Sequence, residues 1–85
     1  MRWALHCWAL HYSQGTVDAL YHKVERPYVK LVTAVIRALA EDPTPDNMQV
    51  DEDDPSVYWV PAPGDYIIFY EIIDERQIVR ILAIE

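Results

Sequence analysis

The last 22 residues of the chain constrain its fold more than any other segment. The stretch GDYIIFYEIIDERQIVRILAIE, from Gly64 to Glu85, contains two apolar runs separated by the charged turn Asp74-Glu75-Arg76. Both runs are rich in isoleucine, valine and aromatic residues, which is typical of β-strands. Two such runs joined by a short polar turn predict an antiparallel hairpin, with strands over residues 65–73 and 77–84.

The segments before this hairpin predict two further strands and two helices. Residues 2–12 alternate between the two faces of a strand, and residues 56–60 form a strand that we expect to end at Pro61. Between them, Ser13 is a candidate N-cap for a first helix, and Pro27 suits the first turn of a second. The order β-α-α-β-β-β predicts one α+β domain over residues 1–85, with both helices on one face of the sheet.

The second helix is predicted over residues 28–40. Its polar positions Lys30, Thr33 and Arg37 make one narrow stripe on an otherwise apolar segment. A helix with so little polar surface is covered on most of its circumference, so we expect it to pack on the first helix and the sheet together.

Residues 41–55, EDPTPDNMQVDEDDP, predict a solvated acidic loop. They hold seven of the fourteen acidic residues, and Asp51–Asp54 have neither the spacing nor the glycine of an EF-hand loop. In the first strand, His6 and Cys7 point to opposite faces, and Cys7 and His11 stand about 13 Å apart, too far to share one ion. We therefore predict no metal site and no cofactor.

The charge balance argues against nucleic acid as a partner. The chain has seven basic and fourteen acidic residues, giving a formal net charge of −7. Nucleic-acid binding draws most of its affinity from Lys and Arg, and the nearest approach to a basic cluster is Lys23, Arg26 and Lys30, with Glu25 among them. Cys7 alone cannot form an internal disulfide, and no apolar run reaches the roughly 18 residues of a membrane helix. We expect a cytoplasmic protein without a membrane segment.

Several residues of the hairpin occur in a recognisable order. The segment Gly64-Asp65-Tyr66 is followed by Tyr70-Glu71-Ile72, then by Asp74 in the turn, and then by Val79, Ile81 and Leu82. This order resembles the one found in the RelE/ParE superfamily of toxins, which come from bacterial toxin–antitoxin pairs. Plasmid stabilisation systems are among these pairs. The first half resembles the family more loosely, through Ser13, VDAL at 17–20 and ALAEDP at 38–43. The resemblance implies a helical hairpin packed on one face of a small, mainly antiparallel four-stranded sheet, completed by the N-terminal strand.

The resemblance also implies where catalytic groups would lie if they were present. In the ribosome-dependent RNases of this family, basic side chains and a tyrosine cut mRNA. The position of the arginine after Gly-Asp-Tyr holds Ile67, the positions of lysines on the preceding strand hold Trp59 and Pro61, and the last strand is followed by Glu85. Cutting a phosphodiester needs cations that stabilise charge at phosphorus. We therefore predict no catalytic residues here.

The face of the sheet away from the helices is the candidate site. A two-layer domain should have one polar face, whereas this one is largely apolar and needs a cover, either a loop of this chain or a second chain. The second chain would be an antitoxin-like protein or another copy in a homodimer, and a heterologous partner is expected to be basic. The predicted partner-binding face comprises Trp59, Ile67, Phe69, Glu71, Leu82 and Ile84.

Four functions are compatible with this sequence. The first is a RelE/ParE-like toxin-family protein that acts through protein–protein binding without nuclease activity. The others are a ribosome-dependent mRNA endonuclease, a ParE-like inhibitor of a topoisomerase such as gyrase, and a homologue repurposed for a structural role.

Overall fold

The computed structural model describes residues 7–85 and contains two helices on one face of a five-stranded sheet. The sheet order is β1-β5-β4-β3-β2. The elements are β1 (Ala9–Tyr12), α1 (Gln14–His22), α2 (Arg26–Glu41), β2 (Gln49–Val50), β3 (Tyr58–Ala62), β4 (Tyr66–Ile73), a short 3₁₀ turn (Asp74–Arg76) and β5 (Ile78–Ile84).

The predicted fold class is confirmed, with one strand more than expected. β1 pairs in parallel with β5, and every other pair of neighbouring strands is antiparallel. The additional strand, Gln49–Val50, lies within the segment predicted as a loop and forms the edge of the sheet against β3. Residues 2–6 of the predicted first strand, and His6 with them, lie outside the described residues.

The core lies between the helices and the inner face of the sheet. Alternation along β4 directs Ile68 and Tyr70 inward, and both are fully buried. Helix α2 contributes every third or fourth residue to this core, at the spacing of one helical face. The largest of the other buried side chains are Val32, Ile36, Leu39, Val60, Val79 and Ile81.

Helix α2 is less covered than its composition suggests. Leu31 is 48% exposed, and Ala34, Arg37 and Ala38 are exposed as well. The prediction that the helix is covered on most of its circumference is therefore wrong. Alanine is small and a strong helix former, so it tolerates a surface position that a larger apolar residue would make costly. Neither described helix is both long and apolar enough to cross a membrane.

A β-bulge in the hairpin changes which residues of β5 face the core. Phe69 pairs with Ala83, but the next residue, Tyr70, pairs with Ile81, so Leu82 has no partner on β4. One extra residue reverses the alternation beyond it. Ile84, opposite Ile68, consequently faces the helices and is 2% exposed. The assignment of Ile84 to the partner-binding face was wrong for this reason.

The first helix is attached to the sheet at this same bulge. Ser13 caps α1 by accepting a hydrogen bond from the Thr16 backbone N–H, and its hydroxyl donates to the Leu82 carbonyl at 2.8 Å. Thr16 Oγ1 donates to the Ile81 carbonyl at 3.1 Å. A bulge interrupts the regular ladder of strand hydrogen bonds, and these side chains supply donors to its carbonyls.

The Gly-Asp-Tyr segment has a structural role. Gly64 has a φ of +88° and Asp65 a φ of +63°, so the chain reverses sharply before β4. A Cβ on Gly64 would stand 2.8–2.9 Å from the rings of Tyr66 and Tyr28. The Tyr66 hydroxyl accepts a hydrogen bond from the Glu25 N–H at the start of α2. The segment therefore connects the hairpin to the second helix.

Strand β3 continues through Pro61 to Ala62, two residues beyond the predicted end. β2 pairs only with Tyr58 and Trp59, so on that side Pro61 lies beyond the last paired residue. Proline is tolerated at such an edge position because no neighbouring strand needs its N–H.

Candidate functional site

The candidate site is the sheet face away from the helices, called here the open face. It includes Gln49 of β2, Trp59 and Pro61 of β3, Ile67, Phe69, Glu71 and Ile73 of β4, Arg80 and Ala83 of β5, and His11 of β1. The strand register sets these side chains in rows across the sheet. One row contains Gln49, Trp59, Phe69 and Ala83, a second contains Pro61 and Ile67, and a third contains Glu71, Arg80 and His11.

Four of the six predicted site residues come together on this face. Trp59, Ile67, Phe69 and Glu71 are half-buried, each partly covered by its neighbours in the sheet. Leu82 is also half-buried, at the bulge, where it has no partner on β4. Ile84 lies on the inner face opposite Ile68, and Ala83 lies beside Phe69 on the open face.

The open face carries one ion pair. Arg80 Nη1 lies 3.1 Å from Glu71 Oε1, and the two side chains are 49% and 27% exposed. Glu71 is four residues along β4 from Ile67, a separation of roughly 13 Å by strand rise. Arg80 is therefore held by a carboxylate at a distance from Ile67.

The other cations of the described region lie elsewhere. Lys23 follows α1, Arg26, Lys30 and Arg37 belong to α2, and Arg76 is in the β4–β5 turn. Within residues 7–85, then, no Lys or Arg of another element joins Trp59 and Ile67 on the open face. The two rows that hold Trp59 and Ile67 also hold Phe69, Ala83 and Pro61, which are all apolar.

Tyr70 is the one tyrosine of the hairpin that is fully buried, and it points away from the open face. Its hydroxyl donates to the Pro43 carbonyl at 2.7 Å and lies 3.7 Å from Met48 Sδ. Burial, with Tyr58 and Asp42 nearby, raises the pKa of Tyr70 to about 12. A phenol in this setting fixes the loop after α2 to the core and stays protonated near neutral pH.

Two functional features were absent from the sequence-based prediction. The Glu71–Arg80 pair could have been found, since a four-residue turn at 74–77 sets these two residues opposite each other. The second feature is an open groove of about 900 Å³ in the helical layer, lined by residues of β1, α1 and α2. In the sequence, the groove is indicated only by the apolar stripe Val17, Leu20, Tyr21 and Val24 on the first helix. Such a stripe is equally typical of a helix face that packs in the core.

Comparison with known families identifies the class of protein. Residues 14–85 match the sequence profile of the family described as ParE toxin of type II toxin-antitoxin system, parDE. This match spans most of the chain, which therefore belongs to the ParE toxin family of toxin–antitoxin systems. A comparison with curated proteins gives no match.

Solved structures confirm the fold. The chain is similar to the RelBE2 toxin-antitoxin complex from Mycobacterium tuberculosis, with 18% identity, a TM-score of 0.81, and 96% of this chain and 93% of that chain covered. It is also similar to the intact E. coli RelBE complex, with 16% identity, 91% and 93% coverage and a TM-score of 0.75. The archaeal RelE-RelB complex from Pyrococcus horikoshii OT3 follows, with 17% identity, 93% coverage of both chains and a TM-score of 0.72.

Proposed function

We propose that this toxin-family protein acts in the cytoplasm through protein–protein contact made by the open face, without cutting RNA. The observation that carries the proposal is the composition of that face. Trp59, Ile67 and Phe69 are apolar, and Arg80, the one cation on the face within residues 7–85, is paired with Glu71 at 3.1 Å.

The chemistry of RNA cleavage supports the same conclusion. Strand cleavage requires a base for the 2′-hydroxyl, a cation for the charged phosphorus centre and an acid for the leaving oxygen. Arg80 is partly neutralised by Glu71, and the net charge of −7 repels a polyanion at long range. An apolar surface of this kind gains free energy from contact with another apolar surface instead.

An antitoxin is the first candidate partner. The M. tuberculosis, E. coli and P. horikoshii structures similar to this chain are toxin–antitoxin complexes. A second copy of the chain in a homodimer is the other candidate for the open face. Phe69, at the centre of the row with Trp59 and Ala83, is the side chain on which either contact would depend most.

Contact with a topoisomerase is the most specific form of the proposal. The matched family is described as ParE toxin of type II toxin-antitoxin system, parDE, and a ParE-like inhibitor of a topoisomerase is one of the functions compatible with the sequence. Inhibition by contact requires a complementary protein surface and no catalytic cation.

Expression of the chain in E. coli tests these functions. We expect growth arrest that Phe69→Asp abolishes and Arg80→Ala retains, because the contact depends on the apolar row. We also expect intact mRNA at ribosomal A-site codons by mapping of 5′ ends, and inhibition of gyrase supercoiling by the purified protein if the target is a topoisomerase.

Two controls make the result interpretable. Circular dichroism and thermal melting establish that Phe69→Asp remains folded, and Phe69→Leu, which keeps an apolar side chain, should retain most of the effect. A-site cleavage that Arg80→Ala removes would overturn the proposal and establish the endonuclease. A folded chain that causes no growth arrest would overturn action on a cellular target.

A further inference from the structure

The groove in the helical layer is a second candidate binding surface, separate from the open face. It lies between α1 and α2 beside the end of β1 and has a volume of about 900 Å³. Both of its tyrosines are exposed, Tyr12 at 37% and Tyr21 at 79%. Its lining is Tyr12, Val17, Leu20, Tyr21, Val24, Arg26, Pro27, Val29 and Lys30.

Basic side chains are concentrated at this groove. Arg26 and Lys30 line it, and Lys23 immediately precedes it in the loop between the helices. These three residues are half of the six Lys and Arg residues within residues 7–85. The groove therefore combines an apolar floor with a basic rim, in a chain whose total charge is −7.

The position of these cations is unfavourable for α2. The N-terminal end of a helix carries a partial positive charge and its C-terminal end a partial negative one. The first turn of α2 has no acidic residue, its last turn has no basic one, and the helix ends at Glu41 followed by Asp42. A charge pattern that weakens its own helix is expected where the charges serve binding.

Half of the acidic residues of the chain lie at the C-terminal end of α2 and in the segment that follows it. Residues 41–54 contain seven acidic residues and the edge strand β2. Val50 of that strand is 51% exposed. The Asp51 carboxylate accepts hydrogen bonds from the N–H groups of Asp53 and Asp54, which gives the segment a defined turn. The Ser56 hydroxyl and N–H lower the pKa of Asp54 and keep it charged.

We propose that these two regions bind each other between molecules, with residues 49–54 of one copy docked in the groove of a second copy. Val50 would enter the apolar floor beside Tyr21, and the carboxylates of Glu52 and Asp53 would face the cations of the rim. Three of the four large apolar side chains most exposed within residues 7–85, Tyr12, Tyr21 and Val50, lie on these two surfaces.

The contact has to be intermolecular. Strand β2 is the edge strand at the far side of the sheet from β1, four strand spacings or roughly 19 Å away, so the segment of one molecule lies well away from its own groove. Each copy then offers one groove and one segment, and the contact is head-to-tail. At physiological salt, charges more than about 8 Å apart are screened, so the local attraction outweighs the repulsion between two net negative chains.

A nucleic acid fits the groove less well than this segment does. Seven of the nine lining residues are valine, leucine, proline or tyrosine, and the two cations stand at one end. Nucleic-acid sites have basic residues along the whole path of the backbone. A short acidic segment with one apolar anchor matches the observed distribution of charge.

Two matched substitutions test the proposal by sedimentation velocity in 0.15 M salt. Tyr21→Glu places a like charge in the groove, and Val50→Glu places one on the docking segment; both side chains are well exposed, so the fold tolerates them. We expect the wild-type chain to self-associate at about 100 μM, and each variant alone to associate at least about tenfold more weakly.

Mixing the two variants gives the decisive result. The Tyr21→Glu chain keeps an intact segment and the Val50→Glu chain an intact groove, so an equimolar mixture should form a one-to-one dimer that cannot grow further. Leu31→Glu, at an exposed apolar residue outside both surfaces, should associate like the wild type.

Three outcomes would overturn the proposal. One is a wild-type chain that is monomeric at about 100 μM. Another is self-association that persists in both variants, and the third is a mixture that remains monomeric. Association lost only in Phe69→Asp would assign the contact to the open face instead, so failure of this proposal is distinguishable from failure of the proposed function.

Discussion

Thr16 Oγ1 donates a hydrogen bond to the Ile81 carbonyl at 3.1 Å, and both residues are fully buried. The same carbonyl accepts a second hydrogen bond from the Ser13 N–H at 3.0 Å. Thr16 is the one buried polar residue of the described chain, and it lies where α1 meets the bulge of β5. A buried hydroxyl and the cap beside it therefore attach the first helix to the bulged strand.

Thr16→Val is expected to lower the free energy of unfolding by about 1 kcal/mol. Valine keeps the volume of threonine, and the Ile81 carbonyl keeps its bond from the Ser13 N–H. The variant loses the hydroxyl's bond to Ile81 and its 2.8 Å contact with Ser13 Oγ, which stays partly accessible. Urea denaturation measures the change. Thr33→Val, at a half-buried threonine of α2, is the control and should alter stability by less than about 0.5 kcal/mol. Equal effects of the two substitutions would contradict the role assigned to Thr16.

The inner face of β4 was predictable from the sequence, because alternation alone places Ile68 and Tyr70 on the same side. The same rule failed for Ile84, because the bulge at Leu82 depends on pairing geometry that no residue type in the hairpin reveals. The short strand Gln49–Val50 also escaped prediction. It is two residues long and sits in a segment rich in proline and acidic residues, and only pairing with β3 makes it a strand.

Ile84→Ala is expected to destabilise the protein by about 2–4 kcal/mol, the usual cost of emptying a buried isoleucine site. Ile67→Ala, at a half-buried isoleucine on the open face, should cost only about 1 kcal/mol because less of its surface is removed from water. Chemical denaturation of both variants measures the difference. A larger loss at Ile67 than at Ile84 would mean that the faces of the hairpin are assigned the wrong way round.

The sequence predicted the open face in part but did not predict the groove in the helical layer. The composition of the open face on β3 and β4 could be read from Trp59, Ile67 and Phe69 once the hairpin was recognised. The groove could not, since Tyr12 lies on a strand and Tyr21 on a helix, and the two line one groove only because α1, α2 and the end of β1 meet there. The residues that share one face of a strand can be predicted from the sequence, because they alternate along it. A groove whose lining comes from several helices and strands cannot, because it depends on how those elements pack.

Gly64→Ala is expected to destabilise the protein by more than about 2 kcal/mol. The residue has a φ of +88°, which costs an L-residue roughly 1–2 kcal/mol, and a Cβ would stand 2.8 Å from the Tyr66 ring. Gly15→Ala is the matched control, because its Cβ would meet only the Ser13 hydroxyl at 3.9 Å. This change should stabilise α1 by roughly 0.5–1 kcal/mol. Thermal melting compares the two, and similar shifts in both would contradict the strain assigned to Gly64.

The raised pKa of Tyr70 predicts that the folded protein loses stability in alkaline solution. Its folded-state pKa of about 12 lies above the ordinary value of 10, so its contribution is complete below pH 10 and is lost as the pH rises towards 12. This loss amounts to about 1.4 kcal/mol at pH 11 relative to pH 8. Tyr70→Phe lacks the titrating group, so the stability difference between wild type and variant should shrink by that amount over the same interval. Tyr21→Phe, at a tyrosine that is 79% exposed, is the control for the general effect of pH. Parallel curves for wild type and Tyr70→Phe from pH 8 to pH 11 would show that the buried hydroxyl is not what limits alkaline stability.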